Sequence, residues 1–112
     1  MTTPDFMVIA HRGASSYAPE NTLAAFDLAI QMGVSHIELD VHFTRDGHVV
    51  VIHDETVNRT TNGSGPVTSH ALAALQELDA GSWFGDKFAG QRVPTFDEVL
   101  ERYQGRAHLH RA

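Results

Sequence analysis

The apolar and polar positions at the start of the chain predict a strand followed by a helix. Residues 6–10 form a short apolar run that ends at polar residues, which indicates a buried strand. Pro19 suits the first turn of a helix and Gly33 suits the end of one. Between them, three apolar residues recur at helical spacing: Leu23, Phe26 and Ile30.

Two further strands are predicted after this helix. In the segment 35–41 the apolar residues occupy alternate positions, so Glu38 and Asp40 lie together on the opposite face. Residues 49–52 are apolar at every position, as in a strand that is covered on both faces. A tight-turn signal, residues 46–47, separates the two segments and predicts a short connection.

The second half of the chain predicts a long loop, one more helix and the start of a strand. Residues 56–66 are rich in Thr, Asn, Gly and Ser, which is typical of a loop. Thr95 and Glu98 have the spacing of a capping box and predict a helix that ends at Gly105. Residues 107–110 predict the beginning of another strand. This order of elements indicates an α/β fold with short connections.

Composition and charge exclude several classes of protein. A chain of 112 residues can bury one small core, but not two. The formal net charge of −6, without a cluster of Lys and Arg, argues against a nucleic-acid binder. The absence of cysteine excludes disulfides, thiolate nucleophiles and zinc–thiolate sites. No apolar run reaches roughly 18 residues, so no membrane span is expected, and no secretory signal is visible, so a cytoplasmic location is expected.

Polar side chains follow, or face inward from, three of the predicted strands. His11 and Arg12 follow the first strand, Glu38 and Asp40 lie within the second, and His53 follows the third. Ligands of α/β folds bind outside the carboxyl ends of the strands. We therefore expect these five side chains to converge on one site.

The acidic pair of this group suits a cation. The Cα atoms of Glu38 and Asp40 are expected about 6.6 Å apart on one strand face. Two carboxylates in an apolar interior repel each other, and a hard cation such as Mg²⁺ or Ca²⁺ relieves that repulsion. A pair of carboxylates hydrogen-bonded to His, Arg or backbone is the equally weighted alternative. A second metal candidate, a zinc pair at His108 and His110, is weaker because polar residues at a chain end are usually solvated.

The remaining side chains of the group suit phosphoryl chemistry. Histidines titrate near neutral pH, so His11 and His53 can act as general acid and general base. Either histidine alone would be read as an ordinary strand-end residue, but two beside an acidic pair favour function. Arg12 carries a planar guanidinium that suits bidentate phosphate binding, with a surface salt bridge as the alternative.

These residues lie in segments that resemble the glycerophosphodiester phosphodiesterase family. The matches occur in family order and their joint occurrence is specific. They are IAHRGA (residues 9–14), PENT (19–22), IELDV (37–41), VIHD (51–54), RTTNGSG (59–65) and VPT (93–95).

The resemblance implies a partial TIM-type (β/α) barrel and a metal-dependent hydrolase of lipid metabolism. The chain, residues 1–112, would be a single partial domain with the first three to four strands and an excursion over residues 56–92. The implied substrates are small glycerophosphodiesters, cleaved to glycerol 3-phosphate and an alcohol. The implied site residues are the acid/base pair His11 and His53, the phosphate-binding Arg12, the Mg²⁺ or Ca²⁺ ligands Glu38 and Asp40, and Glu20 and Asn21 near the site.

The chain departs from the family pattern at a third metal-ligating Glu and a nearby Lys, which the family carries as Glu-x-Lys. No Glu follows Glu101 and no Lys follows Lys87. A full barrel takes about 250 residues. Two alternatives therefore stay open beside hydrolysis by the parent protein. One is a catalytically incomplete α/β fragment, or a half-barrel that self-associates to cover its open edges. The other is a related phospholipase-type phosphodiesterase.

Overall fold

The computed structural model describes residues 9–111, which form an α/β arrangement of short elements. Residues 6–8 of the predicted first strand lie outside the described part of the chain. Two single 3-10 turns, Val67–Ser69 and Asp86–Phe88, interrupt the loops. The strands are β1 (Ile9–His11), β2 (His36–Leu39), β3 (Val41–Phe43), β4 (Val49–Val51) and β5 (His108–Arg111), and the helices are α1 (Leu23–Gln31), α2 (Leu72–Leu75) and α3 (Phe96–Tyr103).

The central sheet is parallel and contains β1, β2 and β5, with β2 in the middle. In its register, His11 lies beside Glu38, and Glu38 lies beside His110 on the other neighbouring strand. Ile37 and Leu39 are fully buried on one face of β2, whereas Glu38 on the other face is half-buried. The predicted alternation is therefore confirmed within β2.

Helices α1 and α3 cover the buried face of this sheet. Thr22 caps α1 by accepting a hydrogen bond from the backbone of Ala25, and Gly33 ends the helix with φ 84°. The predicted capping box of α3 is present, with Thr95 and Glu98 each satisfying the other's backbone N–H. One apolar cluster joins both helices to the sheet: Phe26, Ala29, Ile37, Leu39, Val51, Val99 and Tyr103.

Strands β3 and β4 form a separate antiparallel hairpin. The single strand predicted over residues 35–41 is therefore split, because β2 ends at Leu39 and Asp40 stands between the two sheets. The carbonyl of Asp40 accepts from the backbone of Ile52 at 3.0 Å, and its carboxylate accepts from the Asn21 amide. Val41 opens the hairpin and is half-buried, and it still packs against the apolar cluster that contains Ile37 and Leu39.

Strand β4 is covered on both faces, as its continuous apolar sequence predicts. Val50 and Val51 are buried and belong to two different apolar clusters. The direction of the strand corrects the expectation that three strands present their carboxyl ends to the site together, because His53 follows an antiparallel hairpin outside the parallel sheet. The backbone N–H of Val51 donates to the carbonyl of Pro94 at 2.9 Å, which fixes the hairpin beside the start of α3.

The long excursion after β4 packs on the second apolar cluster. Two backbone hydrogen bonds, Val57 to Gly65 and Val67 to Glu55, close the predicted loop onto itself. The buried members of the cluster come from both the hairpin and the excursion: Val50, Ile52, Val57, Val67, Leu75, Ala80 and Val93. Over residues 9–111 no helix has the length and hydrophobicity needed to cross a membrane.

Candidate active site

The loop between β1 and α1 is held in an unusual backbone conformation. Arg12 and Asn21 both have positive φ, 58° and 57°, and the N–H of Asn21 donates to the carbonyl of Arg12 at 2.9 Å. Positive φ in such residues is strained by about 1–3 kcal/mol each and clusters at functional sites. Between them Gly13, with φ 80°, packs so closely that an added Cβ would lie 2.8 Å from the carbonyl carbon of Ala25. The strained backbone of this loop therefore fixes the positions of two polar side chains.

Both strained residues contact Asp40. The Asn21 Nδ2 donates to Asp40 Oδ2 at 3.1 Å, and Arg12 Nε lies 3.5 Å from the same oxygen, within ion-pair distance but without hydrogen-bond geometry. Turning the Asn21 amide over would set its oxygen against the carboxylate, so the assignment of its two atoms is fixed by charge. Two buried side-chain atoms among residues 9–111 have no hydrogen-bond partner, Arg12 Nε and Asn21 Oδ1. A donor and an acceptor are thus unused beside one carboxylate.

The structure also brings His11 and Glu38 together at the end of the parallel sheet. His11 Nε2 lies 2.9 Å from Glu38 Oε1, and both side chains are reachable from solvent, at 59% and 35% exposure. The contact follows from the register, because the two residues are direct neighbours on β1 and β2. The sequence analysis expected both residues in one site because they lie at or near the carboxyl ends of strands, and the register now shows the direct contact.

His53 forms a different pair, with the residue that follows it. Its Nδ1 lies 2.8 Å from Asp54 Oδ1. Hydrogen bonds from Arg59, and then from His53, hold the pKa of Asp54 well below its usual range. The ionised carboxylate can only accept, so Nδ1 of His53 carries the proton. Its other ring nitrogen, Nε2, has no hydrogen-bond partner within residues 9–111.

Arg59 is the site residue that sequence reasoning missed. It donates to both oxygens of Asp54 and to both oxygens of Glu20, at 2.9–3.0 Å. Burial alone would raise the pKa of Glu20, but the hydrogen bonds and charge of Arg59, helped by Arg12 and His53, keep it below its ordinary value. The only sequence signal for Arg59 was its place at the head of the segment RTTNGSG.

These contacts connect most of the expected site residues in one network. Glu20 accepts from Arg12 Nη1 at 3.4–3.5 Å as well as from Arg59, so it links the first loop to the excursion. No hydrogen bond or ion pair joins His11 to His53 within the described chain. The network runs in the order His53, Asp54, Arg59, Glu20, Arg12, Asp40 and Asn21.

The second metal candidate, the pair His108 and His110 on β5, lies in a stack of histidine rings. The ring of His36 lies against those of His108 and His110, with centroid distances of 4.8 and 5.3 Å. Within residues 9–111, no three His, Cys, Asp or Glu side chains are arranged to hold a metal ion. The weak zinc candidate at His108 and His110 therefore gains no support from the structure.

Comparison with known proteins identifies the family. The model of the glycerophosphoryl diester phosphodiesterase family matches residues 11–110. The glycerophosphodiester phosphodiesterase of Caldanaerobacter subterraneus is 60% identical over 95 residues, which are 85% of this chain and 39% of that protein.

Two solved structures share the fold. The glycerophosphodiester phosphodiesterase of Agrobacterium tumefaciens has a TM-score of 0.92 and 51% identity, covering 94% of this chain and 46% of that one. An Oleispira antarctica phosphodiesterase, solved with the product sn-glycerol-3-phosphate, has a TM-score of 0.91 and 43% identity, covering 95% and 43%.

These matches also show how much of the fold is present. The chain spans about two fifths of the length of the relatives it matches. The solved relatives are TIM-type barrels, and the parallel α/β sheet described above is part of one. Over nearly its whole described length, the chain belongs to the glycerophosphoryl diester phosphodiesterase family.

Proposed function

We propose that this chain supplies the first part of an active site that hydrolyses glycerophosphodiesters to glycerol 3-phosphate and an alcohol. The observation that carries the proposal is the strained loop, which sets Arg12 and Asn21 against Asp40 with a donor and an acceptor unused. A strained polar loop of this kind is retained where it binds or reacts. The Oleispira antarctica relative, solved with sn-glycerol-3-phosphate, supports the substrate class.

Arg12 is the proposed phosphate-binding group. Its guanidinium is largely buried and is held on two sides by carboxylates, Glu20 at 3.4 Å and Asp40 at 3.5 Å. Its Nη2 makes no hydrogen bond to another side chain among residues 9–111 and is not one of the buried unpartnered atoms, so a phosphate oxygen can take that donor without displacing a neighbour. A chain with a net charge of −6 needs such a placed cation to bind an anionic substrate.

Glu38 and Asp40 are the proposed ligands of a divalent cation, Mg²⁺ or Ca²⁺. The donor set fits a hard cation, because each carboxylate has one oxygen that bonds no other described residue and Asn21 Oδ1 is an unpartnered acceptor beside Asp40. When bound, such a cation polarises a phosphoryl oxygen and lowers the pKa of a coordinated hydroxyl. Glu38 and Asp40 would hold the cation, and Arg12, which lies 3.5 Å from Asp40, would supply a second positive charge for the phosphate.

His11 and His53 are the proposed acid/base pair. Asp54 keeps the proton of His53 on Nδ1, which leaves Nε2 free to accept a proton from the nucleophile, water or a substrate hydroxyl. Glu38 lies 2.9 Å from Nε2 of His11 and can hold a protonated ring there. An imidazolium held in this way can return a proton to the leaving alkoxide. The two rings would then perform opposite transfers in one turnover.

Single alanine variants test this assignment. His11→Ala and His53→Ala are each expected to lower the release of glycerol 3-phosphate from glycerophosphocholine by about 10²–10⁴-fold. His48→Ala, at an exposed histidine outside the network, is the matched control and is expected to leave the rate unchanged.

Intact phosphatidylcholine, assayed beside glycerophosphocholine, distinguishes the alternatives. Cleavage of the phospholipid in preference to glycerophosphocholine would indicate a phospholipase-type phosphodiesterase. A folded chain that turns over neither compound would be a catalytically incomplete fragment, and the proposed function would not apply to it.

We also propose that the chain self-associates. Within the described residues, β1 and β5 have no strand partner on their outer sides, and Ile9 at one edge is 42% exposed. Unpaired strand edges are templates for pairing with another chain. Light scattering at low micromolar concentration is expected to give a mass above that of one chain, and a stable monomer would contradict the proposal.

A further inference from the structure

Arg59 bridges two carboxylates from distant parts of the chain. Its Nε and Nη2 donate to Asp54 at 2.9 and 3.0 Å, and its Nη1 and Nη2 donate to Glu20 at 2.9 and 3.0 Å. The Arg59 side chain is 45% exposed, whereas those of Asp54 and Glu20 are 27% and 9% exposed. A partly exposed guanidinium from the excursion thus neutralises two sheltered carboxylates.

Each of these carboxylates also holds a residue of the proposed chemistry. Asp54 accepts from Nδ1 of His53 at 2.8 Å, and Glu20 accepts from the guanidinium of Arg12 at 3.4 Å. Arg59 itself makes no hydrogen bond or ion pair with either of them among residues 9–111. Arg59 therefore contacts the two carboxylates that hold the proposed base and the proposed phosphate-binding group, but it does not contact those two groups themselves.

We infer that Arg59 is a positioning residue, which holds His53 in its Nδ1–H tautomer through Asp54 and holds Arg12 through Glu20. The inference rests on the proposed function for what His53 and Arg12 do, but not for where they are held. A guanidinium has a rigid fork with five N–H donors, so one side chain can fix two carboxylates at once. Without it, Asp54 and Glu20 would repel each other and Asp54 would be free to turn away from His53.

The excursion gains a role from this arrangement. Its loop over residues 56–66 carries Arg59, and the second apolar cluster fixes the two ends of that loop on β4, through Val57 and through Val67 in the turn that follows. The position of His53 therefore depends on the packing of a segment that contributes no proposed catalytic residue.

A purely structural ion pair would behave differently. Partly exposed salt bridges contribute about 0–1 kcal/mol to stability and leave distant rings unaffected. Arg102 is a matched case, since it makes a two-pronged contact with Asp27 at 2.7–3.0 Å and is 48% exposed, but it lies on α3 outside the network.

The test is the tautomer of His53, measured by ¹⁵N–¹H correlation at pH 8 in the ¹⁵N-labelled chain, well above the ordinary histidine pKa of about 6.5. The unchanged chain is expected to show His53 mainly as Nδ1–H. Arg59→Met is expected to raise the Nε2–H fraction severalfold, as is Asp54→Asn. Arg59→Lys should give an Nε2–H fraction between those of the unchanged chain and Arg59→Met, because an ammonium keeps the charge but cannot span both carboxylates. Arg102→Met is expected to leave the His53 signals unchanged.

Two results would overturn the inference. One is a His53 that stays in the Nδ1–H form in both Arg59 variants, and the other is an equal response to Arg102→Met, which would indicate general loosening. If Arg59→Met fails to fold, Arg59→Lys carries the test. The readout needs no substrate: a tautomer change without turnover of glycerophosphocholine would contradict the proposed function alone, and turnover without a tautomer change would contradict this inference alone.

Discussion

Replacing Glu38 with Gln and Asp40 with Asn together is expected to abolish the heat of Ca²⁺ and Mg²⁺ binding in a calorimetric titration. Amides keep the size of both side chains but remove the two charges that make this site attractive to a hard cation. The Asn21 amide that remains is a neutral ligand and cannot hold the ion alone. In the same samples, release of glycerol 3-phosphate should fall to background.

The control must separate a specific site from general electrostatics. Glu77→Gln with Asp86→Asn removes the same number of charges from exposed positions that make no hydrogen bond through their carboxylates among residues 9–111. This control is expected to bind cations like the unchanged chain. Equal weakening in both double variants would mean that the cation is drawn only by net charge, and the proposed ligands would be wrong.

The local parts of the fold could be predicted because short-range rules decide them. The capping box at Thr95 specifies where α3 begins, and helical spacing of apolar residues specifies the buried face of α1 around Phe26. The alternation of polar Glu38 with apolar Ile37 specifies which residues of β2 face the helices. In each case, a few neighbouring residues contain all the information that the element needs.

The division into two sheets could not be predicted, because it depends on contacts between distant residues. Asp40 ends β2 since its carbonyl and carboxylate bond to Ile52 and Asn21. The sequence of a continuously apolar strand such as β4 does not reveal whether the strand runs parallel or antiparallel to its neighbour. Its true partner, β3, begins at Val41, the last residue of the strand predicted over residues 35–41, and extends beyond it to Phe43.

The site was predicted to the extent that strand register determines it. His11 meets Glu38 because they are neighbours on adjacent parallel strands. Arg59 could not be found in this way, since it reaches Glu20 from 39 positions away through a loop with no regular period. The roles of His11, Arg12 and His53 stay predictions until the variants are assayed.

The stability of the core and the strain of the site are linked through α1. Asn21, at positive φ, is followed directly by Thr22, which caps the helix, and Gly13 packs on Ala25 in its first turn. A strained conformation persists only when its surroundings are rigid enough to impose it. Phe26, which is fully buried, anchors α1 in the apolar cluster that joins both helices to the sheet.

Phe26→Ala is therefore expected to have the largest effect on stability. Phe26 meets Tyr103 edge to face, with ring centroids 5.8 Å apart, and its loss would leave a cavity where α1, α3 and the sheet meet. Such substitutions lower the free energy of unfolding by about 3–5 kcal/mol, which is a large share of the roughly 5–15 kcal/mol of a typical domain. Urea titration followed by circular dichroism measures the change.

Phe43→Ala is the matched comparison, because Phe43 is 61% exposed on β3. It is expected to change the free energy of unfolding by no more than about 0.5 kcal/mol. If Phe26→Ala lowered the free energy of unfolding as little as Phe43→Ala, the two helices could not be the support that the strained loop requires. If it costs the expected amount, cation binding should weaken in those molecules that remain folded, because the loop that holds Asn21 against Asp40 would lose its rigid base.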